Sequence, residues 1–129
     1  MMIAALLAVS TLFGGMIFFS FGFAPVLFKQ LPTEKVRPLL RGTFPYYYLV
    51  IIVLAAICTG LAAAQSVLAA ALLGIITLST IYARQFLMIQ VNAASDREDK
   101  AAFGRLHGVS VVIQLVQIGL AGWSLVLIA

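Results

Sequence analysis

Acidic side chains are scarce in this chain of 129 residues: Asp and Glu number four, at Glu34, Asp96, Glu98 and Asp99, and none falls in a long apolar stretch. There is one Cys, one His and one Trp, and charged residues make up only 9% of the whole. Each scarcity removes a class of function. Without a carboxylate in the apolar stretches there is no acid–base pair for chemistry inside a membrane. There is likewise no intramembrane Glu to carry protons, which argues against a proton-coupled drug antiporter of the small four-helix kind. The lone Cys58 forms no intrachain disulfide and belongs to no Cys-x-x-Cys redox or zinc motif. No Gly-rich phosphate loop is followed by Lys and Ser or Thr, and no Ser stands beside a His and an Asp for nucleophilic attack. Catalytic activity is therefore not expected.

What is present is apolar. Hydrophobic side chains make up 64% of the chain, whereas soluble domains carry about 25% charged residues. A bilayer core about 30 Å thick takes about 20 apolar residues per helix. Four such stretches, at about 3–23, 44–63, 67–91 and 103–128, use up most of the length. The expected fold is an all-α membrane protein: a single domain over 1–129, an up-down bundle of four transmembrane helices with a short amphipathic connector after the first. Met1 to Phe13 has no basic region and no small-x-small cleavage site followed by polar sequence, so the first stretch reads as a retained membrane helix.

The basic residues set the orientation. Lys29, Lys35, Arg37 and Arg41 lie between the first and second stretches, and Arg84, Arg97, Lys100 and Arg105 cluster around the break between the third and fourth. The link around Ala64 to Ser66 carries no charge. By the positive-inside rule both basic loops are cytoplasmic and both termini lie outside, as in a bacterial inner (plasma) membrane. Spread over two juxtamembrane loops, the net charge of +4 reads as topology and attraction to anionic lipid headgroups, not as nucleic-acid binding.

Local signals fit this arrangement. Ala8, Gly15 and Gly22 recur seven apart and share a helix face that admits a neighbouring backbone. Pro25 marks the inner end of the first helix. Leu31 to Arg41 is a basic and apolar connector with Thr33 as an N-cap, expected to lie at the membrane surface. Phe44-Pro45-Tyr46-Tyr47-Tyr48 opens the second helix as an interfacial aromatic belt, and Trp123 anchors the far end of the fourth. Gly104 and Gly108 are a further candidate helix contact. Asp96 to Lys100 is the one charge run, read as a solvated loop.

Polar groups in lipid are expensive, so each needs a reason. The fourth helix carries His107, Ser110, Gln114 and Gln117 at spacings of three, four and three, one polar stripe. The third carries Thr77, Thr80 and Arg84 in the same manner. With Ser20 and the Tyr46–Tyr48 run, most of this polarity falls in the cytoplasmic half, as for a cavity open to the cytoplasm and sealed outside. Arg84 is the most costly, being followed by about 10 Å of mostly apolar helix. It either snorkels to the inner headgroups or holds an anionic group. His107 either bonds a neighbouring helix or binds a ligand, proton or metal. The candidate pocket is therefore Arg84, His107, Tyr47, Ser110, Gln114 and Thr80, expected as one inner-half cluster. One His with no Cys or carboxylate nearby makes a poor metal set, so no metal or cofactor is expected.

Several fragments resemble the transmembrane-protein-205-like family, a four-span family also known as a domain of unknown function. They are Gly15 with Phe21-Gly22-Phe23, Leu31-Pro32, Phe44-Pro45-Tyr46-Tyr47, Ala83-Arg84, and Phe103-Gly104-Arg105-Leu106-His107-Gly108-Val109-Ser110. The similarity covers nearly the whole chain. It implies a four-helix integral membrane protein without a settled activity, with Phe44, Pro45, Tyr47, Arg84, His107, Gly108 and Ser110 as its distinctive set. The chain departs from the family in Gln114 and Tyr82, where Asn is expected, and in its short third loop, where eukaryotic members have a long hydrophilic insertion.

The functional expectation is a membrane protein that binds a small molecule, ion or lipid group in a cytoplasm-facing pocket, with transport as one use of such a pocket. Membrane lipids and a second copy of the chain are the expected partners, most simply in a two-fold homo-oligomer. Two alternatives stay open: a haem- or metal-binding membrane redox protein, and a structural subunit of a membrane complex.

Overall fold

A computed structural model describes residues 2–129, which form four long helices and their short links. Helix α1 spans Met2–Gln30, α2 Thr33–Ala63, α3 Val67–Asp96 and α4 Lys100–Ile128. Links of two or three residues, at 31–32, 64–66 and 97–99, join them. Such links make consecutive helices antiparallel. Each helix packs on its chain neighbours, and α4 closes the ring on α1. No strand occurs among the described residues.

At 1.5 Å per residue, helices of this length reach about 45 Å, more than the hydrocarbon core of about 30 Å. The four apolar stretches lie inside them, and the surplus turns carry Lys29, Glu34 to Arg41, Asp96 and Lys100, all at one end of the bundle. We call this the basic end.

The connector expected after the first span is not a separate element. Thr33–Ala63 is one helix through Pro38 and Pro45, and its N-cap is Pro32, with Thr33 already helical. A proline inside a helix takes away a donor from the carbonyl four residues back. Here those carbonyls belong to Glu34 and Arg41, both exposed at the charged end. Pro25 does not end α1 either. The turn before it, Phe18–Phe23, is π-helical, and Ala24 N–H bonds the Phe19 carbonyl. This wider turn makes room where the proline ring would press on the preceding carbonyls. A second π turn, Ala83–Leu87, interrupts α3 and closes with Met88 N–H on the Ala83 carbonyl.

The links are capped by their own side chains. Ser66 Oγ accepts from Ala69 N–H at 3.1 Å, and Asp99 Oδ1 accepts from Ala102 N–H at 3.1 Å. Each satisfies a donor that a helix start leaves open.

The core follows a coiled-coil-like rhythm. Ala5, Val9, Leu12 and Met16 of α1 and Ile51, Ala55, Cys58 and Ala62 of α2 are buried at spacings of four, three and four. Much of this core is small, so backbones approach closely, the way helices associate where lipid supplies no hydrophobic drive. Gly122 shows the tightness: a Cβ there would meet the Phe13 ring at 3.1 Å. The outward faces are apolar, with Leu7, Phe18, Leu78 and Val126 each more than 60% exposed. A fold that exposes such side chains on all sides has lipid as its solvent.

The small-residue candidates divide. Ala8 packs on the core and Gly22 lies under its own Phe18 ring. Gly15, Gly104 and Gly108 face open space, so they make no contact within the bundle.

Candidate functional site at the basic end

The polar stripe of α4 serves two different neighbours. Gln114 Nε2 donates to Ser20 Oγ of α1 at 2.9 Å and to the Tyr47 hydroxyl of α2 at 2.5 Å. Gln117, buried, donates from Nε2 to Ser79 Oγ at 2.8 Å and Thr80 Oγ1 at 3.0 Å on α3. At about 100° per residue, positions three apart point about 60° away from each other. Gln114 therefore reaches toward α1 and α2 while Gln117 reaches toward α3. These amides fasten α4 to all three other helices.

Arg84 goes elsewhere. It sits in the π turn of α3, half-buried, and its Nε donates to the Pro45 carbonyl at 3.1 Å while Nη1 donates to Gln85 Oε1 at 2.9 Å. No hydrogen bond joins it to Tyr47, Thr80, His107, Ser110 or Gln114. The single cluster of Arg84, His107, Tyr47, Ser110, Gln114 and Thr80 expected from the sequence is thus distributed over four places. The physical reason is angular: stripes on α3 and α4 are each wide enough to meet two neighbours, and the π turn, which holds one extra residue, sets Arg84 on the α2 side while Thr80 stays under α4.

His107 and Ser110 do come together. They line a cleft of about 70 Å³ between α2, α3 and α4, with Arg41, Tyr48 and Asn92 as its other polar walls. Phe44, Leu87, Met88 and Val91 complete it. The His107 ring is exposed and lies parallel to Phe103, with centroids 5.7 Å apart. Ser110 Oγ donates to the His107 carbonyl at 2.7 Å. Outside the cleft, Phe19 of α1 stacks on Tyr47 with centroids 3.9 Å apart and 14° between planes.

Nearer the loop lies a second, separate chamber of about 440 Å³, half open to the surface, whose walls include Arg37, Ser95, Glu98, Asp99, Lys100 and Phe103 and share no residue with the cleft. Between the two levels, Arg41 and Asp96 form a bidentate pair, Nη1 to Oδ1 at 2.6 Å and Nη2 to Oδ2 at 3.0 Å. Both lie beyond the apolar stretches at 44–63 and 67–91. The Arg41 guanidinium holds the Asp96 carboxyl below the usual carboxylate range, chiefly through these hydrogen bonds, and Arg41 is itself shifted upward.

Arg41, Tyr48 and Asn92 lie outside the candidate pocket expected from the sequence, which reads Arg41 as a topology charge and Tyr48 as part of the aromatic belt. A signal was available. Arg37, Arg41, Phe44 and Tyr48 are spaced four, three and four, and Lys100, Phe103, His107 and Ser110 three, four and three, so each set is one helix face. That the two faces border the same cleft and chamber depends on how α2 and α4 are rotated in the bundle.

Four apolar spans, an apolar core in which alanines alternate with larger side chains, and polar hollows at one charged end define a multi-pass integral membrane protein of the helix-bundle kind. The chain belongs to a family described as a domain of unknown function (DUF4149), whose sequence model matches residues 7–117. The matched region takes in every polar residue of the cleft and chamber. Curated proteins and solved structures yield no match to the chain.

Proposed function

We propose that this protein binds a small anionic group in the cleft formed by Arg41, Tyr48, Asn92, His107 and Ser110, and has no catalytic activity of its own. The observation that carries the reading is this convergence of polar walls at the basic end. Among the described residues no buried side-chain N or O atom lacks a partner, whereas in the cleft Arg41 and Ser110 already bond Asp96 and the His107 carbonyl and the side chains of Tyr48, Asn92 and His107 face the opening. A cleft of about 70 Å³ has room for about two waters' worth of ligand, which suits an inorganic anion or the phosphate of a lipid headgroup. It is well below the roughly 300–1,000 Å³ of sites for drug-sized molecules, which weighs against haem. A metal site is disfavoured as well, since no group of three His, Cys, Asp or Glu side chains gathers among the described residues.

The finer placement follows from the loop charges. The basic end faces the cytoplasm of a bacterial-type plasma membrane and both termini lie outside. Within its family we assign the chain to the transmembrane-protein-205-like members, on the Phe44-Pro45-Tyr46-Tyr47 and Gly104 to Ser110 fragments. A transport role would use the cleft as its inner entrance, and a second copy of the chain would be needed to extend a path past the small-residue core.

The test is phosphorus NMR of inorganic phosphate added to the protein in phosphatidylcholine vesicles. Saturable line broadening is expected, with affinity falling about tenfold, or about 1.4 kcal/mol, in His107→Ala and further in Arg41→Gln. Absence of saturable binding, or an equal fall in Arg84→Leu, rejects the cleft as the site.

A further inference from the structure

The chamber above the cleft has a charge pattern that no ligand of one sign would satisfy. Arg37 and Lys100 supply two cations to its wall and Glu98 and Asp99 two anions. Asp99 is partly committed, capping α4 through Ala102 N–H and lying 3.9 Å from Arg97. Arg37, Lys100 and Glu98 take part in no ion pair among the described residues. A bare phosphate entering here meets carboxylates, and a bare ammonium meets a guanidinium. A group that carries both charges a few atoms apart meets a partner for each.

The chamber is large enough for such a group, and its backbone is fixed. Its volume of about 440 Å³ falls within the range of small-molecule sites. Glu98 is the one non-glycine residue with positive φ among the described residues, at 55°, a conformation that disfavours any side chain with a Cβ. This is the left-handed cap that ends α3, closed by Glu98 N–H on the Ser95 carbonyl at 3.1 Å and Asp99 N–H on the Ala94 carbonyl at 3.0 Å, and it holds the Glu98 backbone in one place.

Position selects the ligand class. The chamber lies just beyond the aromatic belt of Phe44 and Tyr46 to Tyr48, at the depth of lipid headgroups. We propose that this chamber binds a phosphoethanolamine group, its phosphate held by Arg37 and Lys100 and its primary ammonium by Glu98 with Asp99. The carboxylates accept hydrogen bonds from a primary ammonium, which a glycerol or choline headgroup cannot donate in the same way. The site is distinct from the cleft below and does not rest on it.

The experiment is native mass spectrometry of the purified chain in detergent, with phosphatidylethanolamine and phosphatidylglycerol of identical acyl chains. The protein is expected to retain phosphatidylethanolamine about tenfold better. Glu98→Gln should bring the two lipids level, and Glu98→Gly, which also relieves the positive φ, should do the same while keeping the fold. Arg37→Gln combined with Lys100→Gln should weaken both lipids. Soluble phosphoethanolamine as competitor distinguishes the sources: displacement assigns the headgroup chemistry to a free aminophosphate as well, and lack of displacement assigns it to the lipid alone. Equal retention of the two lipids by the unaltered protein, or an intact preference in both Glu98 variants, overturns the proposal.

Discussion

Arg84 and Pro45 are joined across the α2–α3 interface, the guanidinium Nε of one donating to the backbone carbonyl of the other at 3.1 Å. A carbonyl is a good partner for a cation at this depth because it needs no second charge in lipid. It also ties the π turn of α3 to the aromatic belt that opens α2. Arg84 thereby acts at the joint between two helices, outside the cleft that His107 and Ser110 line.

Removing that joint should lower stability without emptying the cleft. Arg84→Leu is expected to cost about 1 kcal/mol, below the roughly 1.5–3 kcal/mol of a hydrogen bond to a charged group, because the leucine recovers some energy in lipid. Arg84→Lys should recover part of it at most, since an ammonium at the chain end does not replace a donor at Nε. Thermal unfolding in detergent reads the first effect and phosphate titration the second. A loss of phosphate binding in Arg84→Leu at unchanged stability would return Arg84 to the site.

The amide clasp of α4 gives a second prediction. Gln117→Leu removes both bonds to α3, yet Ser79 and Thr80 keep their own bonds to the Ile76 carbonyl. The expected cost is therefore about 1 kcal/mol, within the range for interhelical hydrogen bonds in membranes. A value several times larger would mean that the hydroxyls are left without partners in the variant.

The Arg41–Asp96 pair sets a pH window. Asp96 has its carboxyl shifted down in the folded protein, so its contribution is present above the ordinary Asp value of about 3.9 and is lost as pH falls through the lower folded value. Melting curves of the unaltered protein and Asp96→Asn should keep a constant separation from neutral pH to about 4 and converge below it. Both side chains are about half exposed, so the separation should shrink in high salt. A gap that persists at the lowest pH would show that something other than the ion pair produces it.

Orientation can be read by cysteine labelling in a Cys58→Ala background. A thiol-reactive, impermeant reagent should modify Gln65→Cys in intact cells and Glu98→Cys only after permeabilisation. The reverse pattern places the basic end, the cleft and the chamber on the outer side.

Gly15 separates folding from assembly. A Cβ there meets nothing within 4 Å, so Gly15→Leu should fold as a bundle with unchanged helicity. If the open face of α1 joins two copies, the same variant should run as a monomer by analytical ultracentrifugation where the unaltered protein runs as a dimer. A unaltered protein that is already monomeric in bilayers and detergent removes the dimer.

The chain's own pattern determined the number of helices, their apolar extent and their alternating direction. Those follow from lipid itself: a span must be apolar for about 20 residues, and charge must collect outside it. The sequence also marked the end where polarity concentrates. It did not determine helix ends, because Pro25 reads locally as the end of the first helix and Phe44-Pro45 as the start of the second, whereas a π turn and exposed carbonyls absorb these prolines inside longer helices. Nor did it determine partners. His107, Gln114 and Gln117 share one stripe in the sequence, but helix rotation sends Gln114 to Ser20 and Tyr47, Gln117 to Ser79 and Thr80, and His107 to the mouth. Only tertiary structure brings Arg41 of α2 and Asn92 of α3 beside His107 of α4, since contacts between separate helices depend on their relative rotation and not on spacing along any one of them.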